Sequence, residues 1–112
     1  MFRIAEHRAD AGAHAFVVRI DREHPGFAGH FPGHPVLPAI GQLVLLDRLL
    51  ARCDPGHRGI VEVDPVRFQA PVEPGSTLTV AIRLDGDAAR FTIHREGRPV
   101  ARGSLARLRE DA

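Results

Sequence analysis

The reactive groups of this sequence gather in one place. In GFAGHFPGHPVLPAIGQLVLLDRLL, Gly26 to Leu50, His30 and His34 stand among Pro32, Pro35 and Pro38, and an apolar run carrying Asp47 follows at once. An imidazole with an ordinary pKa of ~6.5 can exchange a proton near neutral pH, or it can ligate a metal. Ligation by His30 and His34 together would need the i, i+4 spacing of a helix, which Pro32 and Pro35 forbid, so no metal site is expected there. Cys53 is the single cysteine. It allows no intrachain disulfide and no Cys-x-x-Cys pair, in keeping with a reducing compartment. His30 keeps two readings at this point, proton transfer or a structural role as a helix cap or a partner for a carbonyl. His24, beside Pro25, reads as loop chemistry, and His7, His14, His57 and His94 have no motif around them.

The elements that must position these groups are legible from periodicity. Ala39 to Arg52 places Ile40, Leu43, Val44, Leu45, Leu46, Leu49 and Leu50 on almost every side of a helical wheel, which predicts a buried helix. Pro38 suits its first position and the stretch Cys53 to His57, CDPGH, stops it. Before it, AHAFVVRID at Ala13 to Asp21 reads as a strand, and FRIAEHRA as a first strand. After it the period becomes two. A strand runs toward Pro71 with an interruption near Pro65, and STLTVAIRL puts Leu78, Val80, Ile82 and Leu84 on one face. ARFTIHR and VARGSLARL follow, separated by turns at Asp85 to Asp87 and Glu96 to Pro99.

The expected fold is α+β: about five or six mostly antiparallel strands wrapped around one long central helix. A sheet of this length can hardly cover an all-apolar helix alone, so a second copy is expected against the open side, giving a homodimer. The chain of 112 residues, 44% hydrophobic and 26% charged, fits a single domain over residues 1–112. No apolar span of 18 residues would cross a bilayer and the start MFRIAEHRAD lacks a secretory apolar region, which makes the cytoplasm the expected location. The formal net charge is +1 and the 15 basic residues, all arginine, are scattered singly, which argues against nucleic acid as a partner.

The stretch HFPGHPVLPAIGQL resembles the signature of the hot-dog-fold (3R)-hydroxyacyl-(acyl-carrier-protein) dehydratases, His-Phe-Pro-Gly-x-Pro-x-Met/Leu-Pro-Gly leading into the central helix. VRFQAPVEPGSTLTV and the ending EGRPVARGSLARL extend the resemblance over most of the chain. The short N-terminus is closer in look to the small dehydratases of aryl-polyene pathways than to those of housekeeping fatty-acid synthesis. The resemblance implies that His30 takes the C2 proton of a 3-hydroxyacyl thioester, giving the trans-2-enoyl product, with no metal or redox cofactor. It places Phe31, Gly33, Pro38, Ala39, Ile40 and Val44 along the substrate. Gly33 would let the backbone approach closely, and the Ala39 and Ile40 amides would face the thioester carbonyl with the positive end of the helix dipole.

Two positions depart from the family pattern. The family carries an Asp or Glu fourteen residues after the histidine, to protonate the leaving hydroxyl, and here that position is Val44. Ala39 stands where the family has Gly. Asp47 lies about one turn beyond Val44, ~4.5 Å along the axis, and is the substitute acid available. The reading favoured by its surroundings is an ordinary carboxylate paired with Arg48 or another arginine. Gln42 can donate a hydrogen bond but no proton. The alternatives are an acyl thioesterase of the same fold, or an acyl-binding subunit whose partner, in a heterodimer with another hot-dog protein, supplies the acid. In the dehydratase reading the acyl chain arrives on the phosphopantetheine arm of an acidic carrier protein, which exposed arginines such as Arg22, Arg52, Arg67 or Arg98 would steer.

Overall fold

The computed structural model describes residues 2–22 and 37–110, with Asp64 described by its backbone. Six strands and one helix follow in the order β1 (Phe2–Asp10), β2 (Ala13–Ile20), α1 (Ala39–Cys53), β3 (His57–Phe68), β4 (Thr77–Asp85), β5 (Ala88–Arg95) and β6 (Arg98–Arg109). All neighbours pair antiparallel in the order β1-β2-β4-β5-β6-β3. The helix therefore connects β2, one strand in from the β1 edge, to β3 at the opposite edge of the sheet. This is the wrapped arrangement that the sequence predicts.

Alternation fixes which side of the sheet faces the helix. In β4, Leu78, Val80 and Ile82 are buried and their neighbours exposed, so a slip of one residue would turn the whole apolar set to solvent. They join Phe16 and Val18 of β2, Phe91 and Ile93 of β5, and Leu45, Leu46, Leu49 and Leu50 of α1 in one core. Tight turns keep the hairpins in register. Ala11 and Gly12 have φ of 46° and 84°, and Glu96 and Gly97 have 52° and 77°, the paired positive values of two-residue hairpin turns.

The helix differs from expectation at both its start and its surface. Pro38 is the N-cap, not the first helical residue; with ψ at 169° its backbone is extended, and its carbonyl accepts the Gln42 N–H at 3.1 Å. Leu37 just before it is pinned by its N–H to the Val72 carbonyl at 2.7 Å. Nor is the helix buried all round, because Ile40 is 67% and Val44 47% exposed. The sheet covers one side, and the stripe containing these residues runs along the open side toward β3.

The expected interruption near Pro65 is present as a bulge, and the strand ends at Phe68, short of Pro71. β3 continues through Pro65, and its register against β6 shifts between Val63 and Val66. An edge strand tolerates the missing proline donor. Opposite the bulge, a Cβ on Gly103 would lie 2.4 Å from the Pro65 carbonyl oxygen, so only glycine allows the strands to approach this closely.

Candidate active site

Along the open side of α1, Ile40, Leu43, Val44 and Asp47 form one stripe at i, i+3, i+4 and i+7. Residues 59–63 of β3 face it, and the two walls enclose a groove of about 470 Å³. Its lining is apolar except for Asp47 and Glu62. An acyl chain needs such a trough, since each buried CH₂ contributes ~0.8 kcal/mol.

The groove has a polar pole at the helix start. The first amides of α1, from Ala39 and Ile40, have no acceptor within the helix, as for any first turn, and no acidic residue stands in that turn to neutralise the dipole. Developing negative charge on a thioester oxygen would be stabilised there.

A second polar feature lies farther along the helix. His57, first residue of β3, donates from Nε2 to Asp47 Oδ1 at 2.7 Å, its side chain 3% exposed while that of Asp47 is 48% exposed. A carboxylate only accepts, so the proton of the bond sits on Nε2. His57 Nδ1 is buried and finds no partner among the described residues. The ring thus holds one carboxylate oxygen of a residue that lines the groove. This corrects the expected pairing of Asp47 with an arginine; Arg48 lies instead over the Phe2 ring, 5.7 Å from its centroid. His57 has no motif around it, and the only local signal for it is the CDPGH stop that folds β3 back against the helix.

The other residues singled out from the sequence are distributed as follows. His30, Phe31 and Gly33, with His24 and His34, lie outside the described residues. Pro38 and Ala39 sit at the helix start, and Ile40, Val44 and Asp47 come together in the groove. Gln42 is buried, its amide nitrogen donating to the Leu37 carbonyl at 3.4 Å. Arg22, Arg52, Arg67 and Arg98 are exposed. Cys53 is no nucleophile, because burial pushes its thiol up to about 12, outweighing the nearby Arg107 guanidinium.

One antiparallel sheet wrapped around one helix, with an apolar groove along that helix, defines a hot-dog protein. The chain belongs to the ApeI-like family, whose model, described as ApeI dehydratase, matches residues 6–104. It is 38% identical over 68 residues to the 3-hydroxyacyl-(acyl-carrier-protein) dehydratase FabZ of Roseiflexus castenholzii, a match covering 54% of this chain and 48% of that protein. With FabZ of Herpetosiphon aurantiacus the identity is 33% over 100 residues, covering 77% and 70%. The chain spans about half the length of the first of these relatives. The dehydratase heterocomplex ApeI:P from Xenorhabdus doucetiae has the same fold, with a TM-score of 0.80 at 22% identity over 96% of this chain and 97% of that one. No helix of the described residues is long and apolar enough to cross a membrane.

Proposed function

We infer that the protein catalyses the reversible dehydration of a 3-hydroxyacyl thioester to the trans-2-enoyl thioester, on a phosphopantetheine arm of acyl-carrier protein, in a cytoplasmic fatty-acid-like or polyene pathway of bacteria. The observation that carries this reading is the apolar groove that begins beside the N-terminus of α1, whose first turn holds no acidic residue, and passes Asp47. His30 removes the C2 proton, the Ala39 and Ile40 amides stabilise the enolate oxygen, and the C3 hydroxyl leaves as water with a proton from an acid. Phe31 and Gly33 flank the thioester, with Pro38 fixing the turn into the helix.

The acid is the open point, because Val44 occupies the position the reaction needs. Asp47 stands ~4.5 Å farther along the axis, a displacement that one bridging water spans; it serves as the acid in its carboxylic acid form, Oδ2 carrying the proton while Oδ1 keeps the His57 bond. A second reading has a partner subunit supply the acid across the groove. It is favoured by the exposed apolar stripe and by the assembly of the related fold as the ApeI:P heterocomplex.

Turnover of a 3-hydroxyacyl-carrier protein by the wild type, Asp47→Asn, Val44→Glu and His30→Ala tests both. His30→Ala is expected to lower turnover by ~10²–10⁴; an unchanged rate would remove the dehydratase reading. If Asp47 is the acid, Asp47→Asn abolishes activity and Val44→Glu adds little. If a partner supplies it, the protein alone is nearly inert and mixing restores the rate. Release of free acid from the thioester would instead support a thioesterase.

A further inference from the structure

Away from the groove, at the far end of α1, three soft ligands from three elements meet. His7 of β1 and His14 of β2 face the same side of the sheet as Phe16, and His7 Nε2 lies 2.9 Å from His14 Nδ1. Cys53, the last residue of α1, brings its Sγ alongside, so that the three ligand atoms lie within 4.8 Å of one another. Cys53 is six residues beyond Asp47, about 9 Å along the axis.

The cluster is held from behind. The His7 ring stacks on Phe16 at 4.1 Å between centroids and 16° between planes, and Phe16 is wholly buried. His14 and Cys53 are half-buried and His7 is exposed, so the cluster has a rigid floor and an open side. Tetrahedral zinc, with bonds of ~2.0–2.1 Å to nitrogen and ~2.3 Å to sulfur, would set its ligand atoms about 3.3–3.7 Å apart. The two imidazole nitrogens need to part by a few tenths of an ångström, and the thiol to close by at most about 1.5 Å. Small χ rotations supply both.

We propose that His7, His14 and Cys53 form a binding site for a zinc-class divalent cation, with the fourth position open to water on the exposed side. A thiolate and two imidazoles select such a cation over magnesium or calcium, which demand oxygen. Binding converts the thiol to thiolate and releases its proton to solvent, a cost the cation's charge offsets. The bound ion would tie the β1–β2 hairpin to the end of the helix, leaving the groove untouched.

The test uses the full chain, reduced and stripped with chelator, titrated with Co²⁺ and then with Zn²⁺. One Co²⁺ per chain is expected, with a thiolate-to-cobalt charge-transfer band that Zn²⁺ abolishes and excess Mg²⁺ does not. Cys53→Ser should lose the band, and both it and His14→Ala should bind at least about tenfold more weakly, whereas His94→Ala should behave as wild type. Since a variant at a half-buried site can misfold, thermal unfolding of the wild type provides a second reading: saturating Zn²⁺ should raise its midpoint and excess Mg²⁺ should not. The absence of saturable one-to-one binding, a band and affinity that survive Cys53→Ser or His14→Ala, or a midpoint indifferent to Zn²⁺ would each overturn the site.

Discussion

At the scale of single residues, the consequential contact is the one between His57 and Asp47. A ring that is almost fully enclosed donates its Nε2 proton to a carboxylate that is half in solvent, so the bond orients Asp47 more than it shields it. Removing the acceptor leaves a buried N–H with nothing to bond, a penalty of about 1–3 kcal/mol. Asp47→Ala should therefore lower the urea-unfolding free energy by about that amount. Asp47→Ala/His57→Leu should lose less than the sum of its two single variants, because the orphaned donor is gone. Additive losses would show that the bond contributes nothing to the fold. The sequence made Asp47 visible as a candidate acid but not its partner: ten residues and a change of element separate it from His57, and no periodicity crosses that gap. The same holds for His7, His14 and Cys53, whose meeting depends on how the hairpin and the helix end lie against each other. His30 was singled out through its motif, a local pattern of prolines and glycines that needs no tertiary knowledge, and it lies outside the described residues.

At the scale of elements, what periodicity could reveal was revealed: the helix, the alternating strands and the turns between them follow from side-chain spacing of 3.6 and 2. What it missed is set by neighbours. The stripe of Ile40 and Val44 reads as core on a wheel, yet is exposed because the sheet ends at β3. The interruption at Pro65 is a bulge because β6 offers Gly103 opposite it. Two substitutions probe how local conformation competes with packing. Ala11 holds a φ of 46° in the β1–β2 turn, where Asn is better tolerated than Ala, and Ala11→Asn should stabilise by about 0.5–1 kcal/mol. Gly41→Ala goes the other way. Helix propensity favours alanine by ~1 kcal/mol, but its Cβ would fall 2.5 Å from Leu37 Cδ1 and 2.9 Å from Cγ. Leu37 is buried and pinned to Val72, and overpacking of this kind costs ~1–3 kcal/mol. A net loss of about 1 kcal/mol in thermal unfolding is expected; a gain would mean that the Leu37 bridge yields freely.

For the whole molecule, one part-buried ion pair ties distant parts of the chain together. Arg107 of β6, 2% exposed at its side chain, donates to Asp54 after the helix at 2.8 Å and to the Gly86 carbonyl in the β4–β5 turn at 3.1 Å. Removing Asp54 would leave the guanidinium with the Gly86 carbonyl and without its charge partner, so Asp54→Ala should cost about 1–3 kcal/mol. The pair also sets an acid limit. The Arg107 hydrogen bond, helped by the Gly56 N–H, holds the Asp54 carboxyl below the usual carboxylate range. A carboxyl depressed in the fold contributes stability that is fully present above its unfolded pKa of ~3.9 and disappears as pH falls through the lower folded value. His14, lowered by burial and then by the neighbouring His7, acts earlier, its share declining as pH falls below the ordinary histidine value of ~6.5. Urea midpoints measured against pH should thus sag first through the histidine range and then drop below pH ~4, and Asp54→Asn should flatten the second fall without touching the first. Assembly is the remaining property at this scale. Val61 and Val63 of β3 are 65% and 42% exposed beside the bare stripe of Ile40 and Val44, and β3 is an edge of the sheet. A second copy set edge to edge would cover all four side chains and close the groove over its apolar length. Light scattering at micromolar concentration should give the mass of two chains, and Val61→Lys, which places a charge on that edge, should shift it to one chain and abolish dehydration while the far-ultraviolet spectrum stays unchanged. A wild-type monomer that is fully active, or a Val61→Lys dimer, would place the covering surface elsewhere.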